Sequence, residues 1–267
     1  MAKQDGTREA RRAGTVQSVE RALAILEVLG EDEDGLRLTD LATRTGLSAS
    51  TVHRLLTTLE LRRFVQFDPT GGMWHVGRAA FTVGSAFARQ RNFVAPALPV
   101  LRRLRDQTRE TANLGVIDEG EVVVLTQVES REIMRAITRV GGRAPIISSG
   151  MGKAILASYP EPDIDAVIKR FGMRKSTART ITDRKRLEAD LSATRARGYA
   201  IDDEEYVLGL RCVAATVYDA NAEALCAISI SGLSARVTDD RLEALGRLVA
   251  GAARELTGLL GGSAPSR

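Results

Sequence analysis

The sequence predicts an α+β protein in which a winged helix-turn-helix and a linker helix precede a domain built on an antiparallel sheet. Two short helical patterns that meet at Gly46, followed at once by a strand–turn–strand pattern, predict the first part. Strand hairpins that flank a helical insertion, with helices at both ends, predict the second. We place a disordered basic arm at 1–15, the winged helix-turn-helix at 16–78, the linker helix at 79–94 and the second domain at 95–262.

The composition is that of a globular chain of two modest domains, with 267 residues of which 44% are hydrophobic and 27% charged. The longest apolar runs fall short of the roughly 18 residues that a membrane span needs, and the N-terminus lacks the apolar core of a signal peptide. Cys212 and Cys226 have neither paired nor metal-ligand spacing. We therefore expect a cytoplasmic protein with no membrane partner.

Residues 17–29 have the pattern of an amphipathic helix with Ser18 as its cap. The apolar residues expected to pack on the following helices are Val19, Leu23, Ile25 and Leu26.

Residues 39–64 predict two short helices joined by a turn. Thr39 and Ser48 are the expected caps, because a side-chain oxygen at a helix start accepts a hydrogen bond from a free backbone N–H. Gly46 occupies the turn, where the backbone must be left-handed. The expected apolar face consists of Leu41, Ala42, Leu47, Val52, Leu55, Leu56 and Leu59.

The outer face of the second helix carries small polar and basic side chains that can hydrogen-bond to base edges and phosphates in a major groove. These residues are Ser48, Ser50, Thr51, His53, Arg54, Thr57 and Thr58. An ordinary helix pair with a solvated face is the alternative. The strands at 64–68 and 73–77, with strong turn residues between them, form a wing and favour DNA binding. Trp74 is expected to pin the wing to the helices, and the net charge of +4 suits a nucleic-acid partner.

A linker helix is predicted at 78–91, partly buried through Phe81, Val83, Phe87 and Ala88, in part against a second subunit. Further helices are predicted at 97–109, 150–158, 163–170, 183–197 and 238–260, and strands at 111–117, 122–128, 133–140, 212–218 and 224–231. An antiparallel sheet covered by helices is the architecture of ligand-sensing domains of the GAF and PAS kind.

Residues 148–153, SSGMGK, open one of these helices, and free N–H groups at a helix start can bind an anion. A phosphate loop is excluded because Ile147 and Ala154 stand where it needs glycine and a hydroxyl residue. A helix start without a ligand is equally consistent with the local sequence. Ser229 and Ser231 share one strand face and need partners if they face inward, from a small ligand or from backbone and water.

Metal binding and catalysis are poorly supported. The four carboxylates at 202–205 are consecutive and cannot all point one way, and both histidines, His53 and His75, lie in the other domain. The chain lacks the common hydrolase motifs, and Cys212 beside Arg211 has no evident general base. We expect no metal, no cofactor and no enzymatic activity.

The segments SVERALAILEVL, LTDLATRTGLSASTVHRLLTTL, SGMGKAILA, GYAIDDEEYVLGLRCVAA and AISISGLSARVTDD resemble the IclR family of bacterial transcriptional regulators, over about 16–260. The resemblance implies a homodimer or dimer of dimers on palindromic double-stranded operator DNA. It also implies that a small carboxylate such as glyoxylate or pyruvate modulates operator binding and so controls a carbon-metabolism operon. The alternatives are a regulator with an aromatic-acid or other carboxylate effector, and a GAF-like enzyme.

The resemblance also implies an effector pocket, with Gly150 and Met151 as backbone donors to the carboxylate. Its polar residues would be Asp202, Cys212, Ser229 and Ser231, and its apolar lining Ile133, Met134, Ala144 and Leu210. One member of the family has a small alanine where this chain has Met151, so a side chain that points inward would alter the pocket. Asp202 near an anion is expected to accept a hydrogen bond from a hydroxyl, or to be protonated.

Overall fold

A computed structural model describes residues 16–90, 93–134 and 139–265, and the contacts between these residues divide the chain after Gln90. The predicted arm at 1–15 lies outside the described residues. None of the helices formed by the described residues combines the length and the hydrophobicity of a membrane-spanning segment.

The first unit contains helices α1 to α4 and a two-stranded antiparallel hairpin. Its elements are α1 (Gln17–Gly30), α2 (Leu38–Thr45), α3 (Ala49–Leu61), β1 (Val65–Asp68), β2 (Met73–Val76) and α4 (Arg78–Gln90). The helices α1 to α3 and the hairpin share one core, which consists of Ile25, Leu29, Leu36, Leu41, Val52, Leu56, Val65 and Trp74. The predicted winged helix-turn-helix is confirmed.

Two predicted caps and part of one predicted face are wrong. The N-cap of α1 is Val16 rather than Ser18, and Thr39 lies inside α2, whose N-cap is Arg37. Ile25 and Leu29 are buried in α1, whereas Val19 and Leu23 are 54% and 52% exposed. Ile25 and Leu29 are four residues apart and so lie on one stripe of the helix. Val19 and Leu23 lie on another stripe, which the rest of the unit does not cover.

Helix α4 ends at Gln90, close to the predicted end at residue 91. The predicted partial burial is wrong within this chain for Phe81 and Val83, which are 78% and 62% exposed. The side chains of Phe87 and Ala88 lie outside the described part of the chain.

The second unit is a six-stranded sheet with helices on both faces. Its elements are α5 (Val94–Thr108), β3 (Thr111–Asp118), β4 (Glu121–Val128), β5 (Arg143–Pro145), α6 (Gly150–Leu156), α7 (Glu161–Phe171), α8 (Arg184–Arg197), β6 (Ala200–Asp203), β7 (Leu210–Tyr218), β8 (Ala224–Leu233) and α9 (Asp239–Leu259). The strand order is β5-β4-β3-β8-β7-β6, and all pairs are antiparallel. The predicted α+β class is confirmed.

The two faces of the sheet have different covers. Helices α5 and α9 pack on one face, where Leu101, Val213, Ile228 and Val249 belong to one large core. Helix α6 packs on the other face, where side chains of β4, β6, β7 and β8 meet it. This second face carries the predicted effector residues.

The structure differs from the prediction at the sheet edges. Residues 131–134 form bends rather than the start of the predicted strand at 133–140, and residues 135–138 lie outside the described part. The edge strands are instead β5 and β6, which the sequence did not predict. They have three and four residues, too few for an alternating pattern to be visible.

Candidate DNA-binding face and effector site

The turn before helix α3 has the predicted residues at its two ends, Gly46 and Ser48. Gly46 ends α2 with a left-handed backbone, at φ 68°. The Ser48 hydroxyl accepts a hydrogen bond from the Thr51 N–H at 3.3 Å. Val52 and Leu56, four residues apart, are fully buried and fix the rotation of α3 about its axis. The opposite face of the helix is therefore turned to solvent.

The predicted DNA-contacting residues lie on that solvent-facing side. Ser48, Ser50, His53, Arg54, Thr57 and Thr58 are exposed, and Thr51 is half-buried. The hydroxyls of Thr57 and Thr58 donate to the backbone oxygens of His53 and Arg54, each at 2.9 Å.

The side chains of His53 and Arg54 have no hydrogen-bond or ion-pair partner among the described residues. They are the nitrogen-bearing side chains at the centre of this exposed face.

The wing is attached to the helices by a backbone bridge at Trp74. The Trp74 N–H donates to the Leu36 oxygen at 2.9 Å, and the Leu36 N–H donates to the Trp74 oxygen at 3.0 Å. The indole is only 7% exposed, and its ring centroid lies 4.9 Å from that of Phe67. The predicted packing role of Trp74 is confirmed.

The turn of the wing is closed by Asp68, whose carboxylate accepts from the N–H groups of Thr70 at 2.9 Å and Gly71 at 3.3 Å. The bond from Thr70 is the main reason that the pKa of Asp68 lies below its usual value. These two bonds fix the shape of the turn.

Strand register brings the predicted polar residues of the second unit together. Asp202 on β6 is opposite Cys212 on β7, and Cys212 is opposite Ser231 on β8. Ser229, two residues along β8, is opposite Asn113 on β3. Directly opposed residues of antiparallel strands share a sheet face. These five side chains, which we call the polar row, therefore lie on the face that α6 covers.

Hydrogen bonds connect the polar row. Asn113 Nδ2 donates to Ser229 Oγ at 3.3 Å and to Ser231 Oγ at 3.2 Å. Cys212 Sγ lies 3.0 Å from Ser231 Oγ. Burial, with the Asp202 carboxylate as the second cause, raises the pKa of the Cys212 thiol to about 12. Cys212 is thus a neutral thiol that can form weak hydrogen bonds, and it is poorly suited to act as a nucleophile.

Asn113 and its cross-strand neighbour Gln127 were missed by the sequence reasoning. Asn113 is fully buried, and Gln127 is opposite it on β4. Gln127 Oε1 is buried without a hydrogen-bond partner among the described residues. An amide inside the otherwise apolar segment 112–117 was a visible signal, since a buried amide needs partners.

The start of α6 lies directly over the row. A Cβ added at Gly150 would be 3.3 Å from Cys212 Cβ, so a glycine allows this close approach. The Ser149 side chain accepts from the Gly152 N–H at 3.2 Å and caps the helix. The Met151 side chain is buried, and its Cε would be 3.1 Å from a Cβ at Gly115. It therefore points inward and fills space that an alanine would leave open.

Asp202 is buried beside a charged cluster. Its Oδ1 accepts from the N–H groups of Glu205 at 2.8 Å and Tyr206 at 3.4 Å. Burial raises the pKa of Asp202 to about 7, although these two bonds oppose the rise.

Lys153, fully buried on α6, forms ion pairs with Glu205 and, at 2.9 Å, with Asp190 on α8. Burial alone would lower the pKa of Lys153, but the two carboxylates outweigh it and raise the pKa. Burial also raises the pKa of Glu205. The cluster ties α6 to α8 and to the loop that follows β6.

The four residues of the predicted apolar lining differ in burial. Ala144 and Leu210 are half-buried. Ile133 and Met134 are 97% and 70% exposed, so their predicted lining role has no support in this chain. Their segment is not part of the sheet. Arg236 Nη1 donates a hydrogen bond to the Met134 backbone oxygen at 2.8 Å. Among the described residues, no group of three or more His, Cys, Asp or Glu side chains could hold a metal ion.

A winged helix-turn-helix in one unit and a buried polar row in a helix-covered sheet in the other define a transcriptional regulator with a sensing domain. The chain belongs to the IclR family. A family model described as the IclR helix-turn-helix domain matches residues 18–69, and one described as the bacterial transcriptional regulator IclR C-terminal domain matches residues 86–257.

Relatives are similar over almost their whole length. The chain is 42% identical to the acetate operon repressor of Salmonella typhimurium over 252 residues, which cover 94% of this chain and 92% of the relative. It is also 42% identical to the transcriptional repressor IclR of Escherichia coli, over 93% of this chain and 92% of that one. The regulator BhcR of Paracoccus denitrificans is 42% identical, over 92% and 88%.

Solved structures have the same fold. The crystal structure of Thermotoga maritima IclR superimposes with a TM-score of 0.78 at 27% identity, over 92% of this chain and 99% of that chain. An IclR transcriptional regulator from Alicyclobacillus acidocaldarius has a TM-score of 0.78 at 24% identity, over 93% and 100%, and shows likeness of fold alone.

Proposed function

We propose that this regulator binds a palindromic operator as a homodimer or dimer of dimers, and that a small organic acid such as glyoxylate or pyruvate modulates the binding. The target would be a carbon-metabolism operon, and the site of action the cytoplasm. The Salmonella and Escherichia coli relatives are both named as repressors, which supports repression as the outcome.

The DNA-binding half of the proposal rests on the exposed face of α3. His53 and Arg54 supply donors, and Ser48, Ser50, Thr51, Thr57 and Thr58 supply hydroxyls around them. The wing and the arm at 1–15 would add phosphate contacts, which position a protein on DNA without reading its sequence. The working domains are 16–78 for the DNA-binding part, 79–94 for the linker helix and 95–262 for the effector domain.

The effector half rests on one observation, the convergence of the polar row under the start of α6. The N–H groups of Gly150 and Met151 would receive the carboxylate, because a helix start favours an anion. Cys212, Ser229 and Ser231 would bind the remaining oxygens, with Ala144 and Leu210 as apolar neighbours. Asn113, which already donates to both serines, would orient their hydroxyls.

Asp202 favours an effector that carries a hydroxyl, such as the hydrated aldehyde of glyoxylate. An ionised Asp202 would repel a carboxylate, but its pKa of about 7 allows the neutral form near physiological pH. In either protonation state one oxygen can accept a hydrogen bond from a hydroxyl. A small oxo-acid or hydroxy-acid therefore fits the row better than a larger aromatic acid, because Met151 occupies part of the space.

The effector would act by binding one arrangement of the second unit more tightly than another. A coupling free energy of about 1–3 kcal/mol is typical, and it would change operator affinity by about 5- to 150-fold. An enzymatic role is not proposed, since the raised pKa of Cys212 leaves it a poor nucleophile.

The test combines thermal shift with operator binding. Glyoxylate and pyruvate should each raise the melting temperature of the wild-type protein, because a ligand that binds only the folded state stabilises it. The double variant Ser229→Ala/Ser231→Ala should lose this shift and the effector response in a gel-shift assay, and should still bind operator. Ser234→Ala, just outside the row, is the matched control. An undiminished ligand shift in the double variant would exclude the row as the effector site.

A further inference from the structure

A cleft of about 710 Å³ lies in the second unit at the far end of β7. Strand β6 pairs with β7 only from Asp203 to Ala200, which is opposite Ala214. Strand β7 continues to Tyr218, so β6 does not cover this last part. The cleft occupies the uncovered edge, between the end of α6, helix α8 and the end of α9.

The cleft is separate from the polar row, although α6 takes part in both. The first residue of α6, Gly150, contacts Cys212 in the row. Residues near and beyond the other end of α6 line the cleft, namely Ala154, Ala157, Ser158 and Tyr159. Along α6, Ala154 is four residues from Gly150, or about 6 Å of helix, and the other cleft residues of this segment lie beyond the end of α6 at Leu156. None of the five residues of the polar row lines the cleft.

The inner surface of the cleft is apolar and made of small residues. Six alanines line the cleft, namely Ala154, Ala157, Ala215, Ala250, Ala253 and Ala264. Their short side chains leave the volume open, and the tyrosines Tyr159 and Tyr218 stand beside them. A largely apolar concavity of roughly 300–1,000 Å³ with a few polar groups is typical of a small-molecule site.

Two arginines give the cleft a positive charge. Arg195 on α8 and Arg254 on α9 line it, and no Asp or Glu does so among the described residues. Arg195 Nε donates to the Ala157 backbone oxygen at 2.7 Å, which fixes the guanidinium at the cleft wall.

Neither Arg195 nor Arg254 has a carboxylate partner among the described residues. The nearby arginines of the same two helices do: Arg197 pairs with Asp190 on α8, and Arg247 with Glu243 on α9. Arginine binds carboxylates well because its planar fork matches their geometry.

We propose that this cleft is a second ligand site, for an organic carboxylate with an apolar body of about the size of one aromatic ring. The body packs on the alanines, and the carboxylate faces Arg195 and Arg254. The site does not depend on the polar row or on what binds there.

Calorimetry on the full-length protein with benzoate as the probe tests the proposal. Benzoate should bind, whereas benzyl alcohol, which lacks the charge, and acetate, which lacks the body, should bind much more weakly. Arg254→Met, and the double variant Arg195→Met/Arg254→Met, should weaken benzoate binding by about tenfold or more, since charge-assisted bonds to a carboxylate are lost. Arg186→Met, which changes an exposed arginine of α8 outside the cleft, should bind benzoate as the wild type does.

The variant Ser229→Ala/Ser231→Ala distinguishes the two sites, because benzoate binding should survive in it. Loss of binding there would place the probe in the polar row and overturn the proposal. So would undiminished binding in both arginine variants, or the absence of measurable benzoate binding. Sedimentation of the arginine variants tests whether the cleft is instead an interface between subunits. A change of oligomeric state would show that the cleft is a subunit interface and not a ligand site.

Discussion

The Glu205 backbone N–H donates to Asp202 Oδ1 at 2.8 Å, and so one residue of the charged cluster holds the carboxylate of the polar row. The Glu205 side chain is at the same time paired with the buried Lys153 of α6. Asp202 is therefore positioned by the same loop that anchors α6. A change in the protonation of Asp202 is therefore expected to affect the loop and α6. Conversely, a movement of α6 is expected to change the pKa of Asp202.

Stability should depend on pH through Asp202. Burial raises its pKa from 3.8 to about 7, so between these values the folded protein retains a proton that the unfolded chain has lost. The contribution of Asp202 to the free energy of unfolding is therefore fully present below about pH 4, and it decreases as the pH rises to about 7.

Asp202→Asn stays neutral and removes this decrease. The difference in the free energy of unfolding between the variant and wild type should shift in favour of the variant by about 3 kcal/mol from pH 5 to pH 8, which corresponds to two pKa units. Urea unfolding at both pH values measures the gain. Asp240→Asn, which changes an exposed carboxylate of α9, is the control. If the free energies of unfolding of Asp202→Asn and wild type differ by the same amount at both pH values, Asp202 titrates near its ordinary pKa.

Lys153→Met should be strongly destabilising, by about 3–5 kcal/mol, because it leaves the buried carboxylate of Glu205 without its cation. It also removes one of the two cations that pair with Asp190. Adding Glu205→Gln should restore part of the loss, and denaturant unfolding of the single and double variants measures both terms. Arg247→Met breaks a surface pair and should cost at most about 1 kcal/mol. If Lys153→Met costs no more than Arg247→Met, the cluster does not stabilise the fold.

Arg54→Ala should weaken operator binding without changing the melting temperature, because the side chain is exposed and has no partner among the described residues. The expected loss is about 1–3 kcal/mol if Arg54 contacts a base, and a reduced salt dependence if it contacts a phosphate. Gel-shift titrations at two salt concentrations distinguish these cases. Arg102→Ala, an exposed arginine of the second unit, should bind as wild type; unchanged affinity in Arg54→Ala would remove α3 from the interface.

Trp74→Ala should destabilise the first unit by about 3–5 kcal/mol, the usual cost of removing a buried indole. Trp74→Phe should cost less, since a ring remains against Phe67. Amide hydrogen exchange at Leu36 is the measurement, because its N–H bonds to the Trp74 oxygen and should lose protection as the wing detaches. Undisturbed protection in Trp74→Ala would mean that the backbone bridge holds the wing without the indole.

The winged helix-turn-helix could be predicted because its signals are local. The left-handed turn at Gly46, the cap at Ser48 and the spacing of Val52 and Leu56 all act within a few residues. The strands of the wing were predicted for the same reason, through their turn residues. The faces of α1 and α4 were less predictable, because Val19 and Phe81 are apolar without being buried in this chain.

The edges of the sheet could not be predicted in this way. Strands β5 and β6 exist because β4 and β7 offer backbone partners to them, and three or four residues carry too little pattern of their own. The expected strand at 133–140 has enough apolar residues, yet Ile133 and Met134 lie exposed on a segment that has left the sheet.

The sequence by itself determined the class of the protein and the exposed polar face of α3, and its resemblance to the family singled out four residues of the polar row. Only the tertiary structure placed Asn113 between the serines and paired Lys153 with Glu205 and Asp190. Asn113 is 116 positions from Ser229, and Lys153 is 52 positions from Glu205. No local preference encodes such a pairing. These pairings depend on strand register and on the position of α6 on the sheet, which are fixed by backbone hydrogen bonds and burial summed over the whole unit.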